Sequence, residues 1–181
     1  MKFTSAEGIR MKGRLRLHNF GLGLVVTAAL FGAGACSKGQ VVRYKIPNSD
    51  FPIALGVEVP AGSNLVFLSG ATPPVADSSQ PKDTFAAYGD TRTQTTAVLK
   101  AIEARLQSMG LTMKDVVKMQ VFLVADPAKG GKMDFAGMME AYTQFFGTAE
   151  QPNLPSRSAM QVVALANPGF LVEIEVTAVR P

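Results

Sequence analysis

Apolar residues along the chain fall into short, separately patterned segments. Leu65-Val-Phe-Leu68 is an unbroken apolar run with Pro60-Ala-Gly-Ser-Asn64 before it and Ser69-Gly70 and Pro73-Pro74 after it, the form of a buried strand between two turns. Val57 and Val59 flank Glu58 just upstream, so residues 56–59 are expected to be its hairpin partner. Farther on, Leu99, Ile102, Leu106 and Met109 recur at i, i+3, i+7 and i+10, with Lys100, Glu103 and Arg105 off the stripe. That is an amphipathic helix, and Gly110 stands where a left-handed cap would end it. Thr112 and Asp115 have capping-box spacing for a short helical turn. Residues 116–124 then read as a strand closed by Asp126-Pro127. Phe135, Met138, Tyr142 and Phe145 repeat the helical spacing ahead of Gly147. Two last strands, 158–165 and 170–179, are joined by Asn167-Pro168-Gly169, a turn signal that predicts a hairpin with Glu173 opposite roughly Val163.

The expected order is ββαβαββ, and each helix has one apolar stripe to cover. Laying both helices on one face of a mixed sheet gives a two-layer α+β sandwich. In the last strand Val172, Ile174, Val176 and Ala178 alternate with Glu173, Glu175 and Thr177, so the aliphatics face the helices and both carboxylates face away. Taken alone, that alternation fits a solvated outer face as well as it fits a site. Arg157, in Leu154-Pro-Ser-Arg-Ser158, is the cation with which a functional face would work, because its rigid fork matches a planar carboxylate. In the expected hairpin Arg157 is several residues from Glu173, so a neighbouring subunit or strong sheet coiling is needed to bring them together.

Charge changes the picture in one place. The 181-residue chain has 18 Lys and Arg against 14 Asp and Glu, and residues 1–35 hold five of the basic groups and one acidic group. The remaining 146 residues are balanced at 13 and 13, so the net charge of +4 belongs to the leader and no nucleic-acid partner is expected. His18 is the only histidine and Cys36 the only cysteine. Ser-His-Asp and Cys-His nucleophile systems, histidine-based zinc sites and disulfide frameworks are thereby excluded from the body.

The leader is basic through Arg16 and then apolar and uncharged over residues 20–35, ending in small residues. This is a secretory layout, and its run of about 16 residues is shorter than the roughly 20 a spanning helix needs. Ala33-Gly34-Ala35-Cys36 resembles a bacterial lipobox, with Ala33 where leucine is usual. The expectation is cleavage before Cys36, acylation of that cysteine, and anchorage in the cell envelope facing the periplasm or exterior. Ordinary cleavage near Ala35, leaving a soluble periplasmic protein, is the alternative. Met11 is an alternative start to Met1. Residues 36–48 are expected to be a flexible tether and residues 49–181 the folded domain.

Ser69-Gly70, Tyr142 with Phe145-Phe146-Gly147, Leu154-Pro-Ser-Arg-Ser158 and Val172-Glu-Ile-Glu-Val-Thr-Ala-Val-Arg180 occur in the order found in the RidA/YjgF family of enamine/imine deaminases, and the chain resembles that family from about Ile46 to Arg180. The resemblance implies a chorismate-mutase-like fold, a homotrimer with clefts between subunits, and hydrolysis of 2-enamino and 2-imino acids to 2-keto acids and ammonia. It implies that Arg157 binds the substrate carboxylate, Glu173 positions the water and the backbone at Gly70 lines the pocket, without metal or cofactor. Glu175 matches a second acidic position of less clear role. The family's Gly-Pro-Tyr-Ser-Gln-like segment is Phe51-Pro-Ile-Ala-Leu55 here, so Ile53 replaces the pocket tyrosine, and Ala159 replaces a cysteine. A non-catalytic, envelope-anchored trimer that holds a small carboxylate is the rival reading, and a holdase-like protein with apolar surface a weaker one.

Overall fold

The chain divides into Met1–Cys36 and Ser37–Pro181, and the computed structural model describes residues 39–181. The expected signal, the expected cleavage point and the expected acylation of Cys36 lie outside the described residues. Six strands form one mixed sheet: β1 (Val42–Lys45), β2 (Ala54–Glu58), β3 (Asn64–Ala71), β4 (Val116–Val124), β5 (Ser156–Val162) and β6 (Val172–Arg180), in the order β1-β2-β5-β4-β6-β3. Two helices, α1 (Thr91–Ser108) and α2 (Phe135–Tyr142), cover one face. The expected two-layer α+β architecture is therefore what the chain forms.

α1 starts where Asp90 accepts a hydrogen bond from the Thr93 amide at 2.8 Å, an N-cap that satisfies a backbone donor with no partner inside the helix. It stops at Gly110, whose φ of 70° is the left-handed cap foreseen from the sequence. The Leu111 amide then returns to the Leu106 carbonyl at 2.9 Å. Val98, Leu99, Ile102 and Leu106 are buried along its inner face. The Thr112–Asp115 capping box is present and leads into β4. α2 is shorter than its periodicity suggests, because Phe145 and Phe146 lie in the turn after Tyr142. Phe146 is buried there and stacks on Tyr142 with ring centroids 5.0 Å apart.

Strand pairing departs from expectation in three places. β5 and β6 are not a hairpin: β4 lies between them, parallel to β5 and antiparallel to β6. Glu173 therefore faces Phe122 across the ladder, while Val163 lies beyond the end of β5. The reason is visible in the connection. Gln94 of α1, fully buried, accepts from the Leu171 amide at 2.7 Å and donates to the Gly169 carbonyl at 3.0 Å. A Cβ on Gly169 would lie 2.6 Å from the Thr84 carbonyl oxygen. The Asn167-Pro168-Gly169 turn is thus held against the start of α1, and the strand after it returns on the far side of β4. Second, β2 pairs with β1 and β5, and β3 with β6, so residues 56–59 do not form a hairpin with Leu65–Leu68. Third, residues 42–45, inside the stretch expected to be a tether, form β1. The Arg43 guanidinium anchors it by donating to the carbonyls of Val116, Leu154 and Lys114 at 2.8–3.0 Å.

β6 alternates as foreseen, with Val172, Ile174, Val176 and Ala178 buried and Glu173, Glu175 and Thr177 on the open face. β4 follows the same parity: Met119, Val121 and Leu123 are buried, and Lys118, Gln120 and Phe122 are only partly so. Phe67, 75% exposed, and Leu65, 45% exposed, add apolar area to the open face from β3.

Candidate active site

Arg157 is the second residue of β5, after buried Pro155 and half-buried Ser156. Its backbone partner on β4 is Met119, a core residue, so its side chain projects to the helix-covered side. There the guanidinium carbon lies 4.3 Å from the Tyr142 ring centroid, 5.6 Å from that of Phe51 and 5.9 Å from that of Phe135. Nη1 lies 4.0 Å from the Met138 sulfur. Among the described residues the ion pairs are Arg92 with Glu140 and Lys129 with Asp134, so no carboxylate neutralises Arg157. Burial holds its pKa below the usual arginine value, partly offset by Tyr142, yet a guanidinium keeps its proton at any ordinary pH. The result is a half-buried cation in an aromatic cage with its carboxylate-binding fork unused. Stacking of this kind is worth up to about 2 kcal/mol when desolvated, which compensates part of the cost of leaving the charge unpaired.

Tyr142 completes the platform. Its hydroxyl donates to the Pro52 carbonyl at 2.8 Å. Burial raises its pKa far above the ordinary value of 10, so it stays a neutral phenol, and its ring binds cations without carrying charge. Phe135 and Tyr142 sit seven residues apart on α2, and the same stripe that signals a helix also aims two rings at Arg157. The sequence shows that stripe but assigns it to the core alone. Phe51 likewise reads only as part of a divergent segment.

Glu173 occupies the other side of the sheet. Beside it, the register of β3 shifts between Leu68 and Ala71, a bulge that puts Ser69 and Gly70 out of step with the ladder. A Cβ on Gly70 would collide with the Glu173 carboxylate. That carboxylate therefore rests against bare backbone, and glycine is the residue that admits it. Glu175 is paired with Gln120 and lines a depression of about 380 Å³ with Phe67, Lys118 and Thr177. Ile53 and Ala159 are half-buried against the core.

Thus Glu173 and Gly70 come together within one chain, whereas Arg157 and Glu173 do not. They lie on opposite faces of the sheet with β4 between their strands, and coiling of a single sheet cannot bring them into one cleft. A larger cavity, about 530 Å³, touches neither of them. Its innermost cation, Arg43, already uses its fork on the three carbonyls that fasten β1.

The described residues thus form a two-layer α+β domain that carries an arginine without a carboxylate partner on its helix-covered face and a glycine-backed glutamate on its open face. Residues 54–180 match the family model described as Endoribonuclease L-PSP, and the chain belongs to that family, the RidA/YjgF family. A RutC family protein of Pyrococcus horikoshii is 32% identical over 133 residues, covering 74% of this chain and 93% of the relative. The putative reactive intermediate deaminase TdcF of Escherichia coli K12 is 31% identical over 143 residues, covering 79% and 98%. The crystal structure of E. coli TdcF with bound serine superposes with a TM-score of 0.51 at 33% identity, over 72% of this chain and 93% of that one. A Rid family protein of Yersinia pestis, at 24% identity and a TM-score of 0.58, shares the fold.

Proposed function

We propose that the protein hydrolyses reactive 2-imino acids, and the 2-enamino acids that tautomerise to them, to 2-keto acids and ammonia, at clefts formed between copies of the chain in the cell envelope. The observation that carries this reading is the unused fork of Arg157, a half-buried cation without a carboxylate of its own. An iminium carbon is already electrophilic, so catalysis needs a fixed substrate and a delivered water. Arg157 binds the substrate carboxylate through two parallel hydrogen bonds. Glu173, from the open face of a neighbouring copy, takes a proton from water as its oxygen bonds to C2 and the C=N π electrons move to nitrogen. It returns that proton to the nitrogen of the tetrahedral intermediate. The C–N bond then breaks with its electron pair leaving on ammonia, the freed Glu173 carboxylate takes the hydroxyl proton so that the carbonyl of the 2-keto acid forms, and that proton leaves with the ammonia as ammonium. One water is consumed and no redox partner or cofactor is needed.

The separation of Arg157 and Glu173 on opposite faces supports a shared cleft, and the family resemblance makes a homotrimer the expected assembly. Exposed Phe67 and Leu65 on the open face favour self-association. Serine bound to TdcF fits a carboxylate-anchoring role for the arginine. The family model carries a nucleolytic description, but a charge-balanced body without histidine suits imine hydrolysis better. The secretory leader and Ile53 at the usual tyrosine position favour one rival, a trimer that binds a small carboxylate without turnover. Hydrolysis of 2-iminobutanoate or 2-iminopropanoate, generated in situ by an amino acid oxidase, separates the two. Acceleration above the spontaneous rate is expected, and its absence from folded protein that still binds 2-keto acids would establish the rival.

A further inference from the structure

Phe51 borders two features at once. Its ring flanks the Arg157 guanidinium, and it also walls a separate cavity of about 170 Å³. Ile46, Ile53 and Leu154 supply the remaining apolar walls, and Lys45 and Asp50 stand at the exposed rim. Phe51 is 41% exposed although it is a large apolar side chain, which is the condition of a ring waiting for a contact. Tyr142, Phe135 and Phe51 surround the guanidinium, so a carboxylate meets Arg157 along the edge of its plane. Phe51 stands between the guanidinium and the cavity, so a carbon chain that runs past its ring from Arg157 reaches the cavity. The cavity opens to solvent on the side of Lys45, Ser49 and Asp50, and its volume, together with the apolar side that Ile46, Phe51, Ile53 and Leu154 offer, suits one phenyl or a branched aliphatic group.

We propose that this cavity is the side-chain subsite and that the protein selects 2-imino acids with bulky apolar side chains, of the kind produced from phenylalanine, leucine or methionine, over the three- and four-carbon ones. The proposal rests on Arg157 as the carboxylate anchor and refines the hydrolytic reading. Ile53 is the residue that makes the selection: a tyrosine at this position would put a ring and a hydroxyl into the space between Ile46, Phe51 and Leu154. A small substrate leaves the cavity to water, and a large one displaces that water into bulk.

The test pairs binding with turnover. Calorimetry with the unreactive products, phenylpyruvate and pyruvate, should show phenylpyruvate bound about tenfold or more tightly by the parent protein, since even one methylene in an apolar pocket changes selectivity by that order. Imines made in situ from phenylalanine and alanine should show a kcat/KM ratio in the same direction. Ile53→Tyr should bring the phenylpyruvate-to-pyruvate ratio below about threefold by filling the space. Phe51→Ala, which removes the shared wall, should also lower it, and it keeps the test open if Ile53→Tyr does not fold. Equal affinity of the parent for the two keto acids overturns the subsite, as does a preference that survives both substitutions. Selective binding with no imine turnover leaves the subsite standing and overturns the hydrolytic reading instead.

Discussion

A half-buried arginine at the start of an interior strand of a sheet ordinarily acquires a carboxylate partner. Arg157 has three aromatic rings and a thioether around it instead, and the consequences can be measured residue by residue. Arg157→Ala should lower kcat/KM for imine hydrolysis by about tenfold to a hundredfold, the value of a charged hydrogen bond of roughly 1.5 to 3 kcal/mol. Arg157→Lys should recover little of it, since an ammonium has no planar fork; full recovery would show that charge alone suffices. Glu173→Gln should lower kcat while 2-keto acid affinity stays near the parental value, because the carboxylate acts on water. Gly70→Ala should mimic that defect in a folded protein, since its Cβ and the Glu173 carboxylate cannot occupy the same space. Tyr142 sets a pH dependence of stability. Its folded pKa is raised by burial above the unfolded value near 10, so its contribution is complete below pH 10 and is lost as the pH climbs past it and the unfolded phenol ionises. Denaturant midpoints measured across that range should fall, and Tyr142→Phe should flatten the fall; an equally steep loss in the variant would assign it to other groups. Strand parity in the sequence put Glu173 on the face away from the helices, where the structure has it, while Arg157 and Gly70 were singled out by their motifs. The cage was not legible there, because Phe51 reaches Arg157 only through the pairing of β2 with β5.

At the scale of elements, local signals were reliable and distant ones were not. Asp90 and Gly110 delimit α1, and Thr112 with Asp115 starts the turn before β4, as residue types and short spacings dictate. The hairpin expected through Asn167-Pro168-Gly169 failed because a turn motif specifies its own geometry and not which strand lies beside the next one. The turn is held in its observed place by Gln94, 75 residues before Gly169 in sequence. A glutamine in a helix reads as surface, and only the folded arrangement shows it fully buried with its amide group satisfied. Gln94→Ala should therefore destabilise the domain by about 1 to 3 kcal/mol, the cost of leaving buried backbone groups unpaired. Chemical denaturation would show it, and a change under half of that would mean that water replaces the amide.

For the whole molecule, the open face of the sheet and the leader make separate predictions. The purified body should scatter light as about three chains, as expected of a closed cyclic assembly. A stable monomer that hydrolyses imines would sink the shared cleft. At the leader, intact mass and detergent partitioning should report a mature chain beginning at an acylated Cys36. A water-soluble mature protein without acyl mass would indicate ordinary cleavage instead.

The placement of Arg157 and Glu173 on opposite faces also has a genetic signature. Each chain of a closed ring would lend its arginine to one neighbour and its glutamate to the other, so a defect in either residue belongs to a cleft and not to a subunit. Arg157→Ala chains and Glu173→Gln chains, each impaired when assembled alone, should complement one another when unfolded, mixed in equal amounts and refolded together. With random assortment about a quarter of the clefts in a cyclic trimer receive an intact arginine and an intact glutamate. Two impaired alleles of this protein expressed in one cell would then reach an activity above that of either by itself, whereas two alleles damaged at the same residue would not.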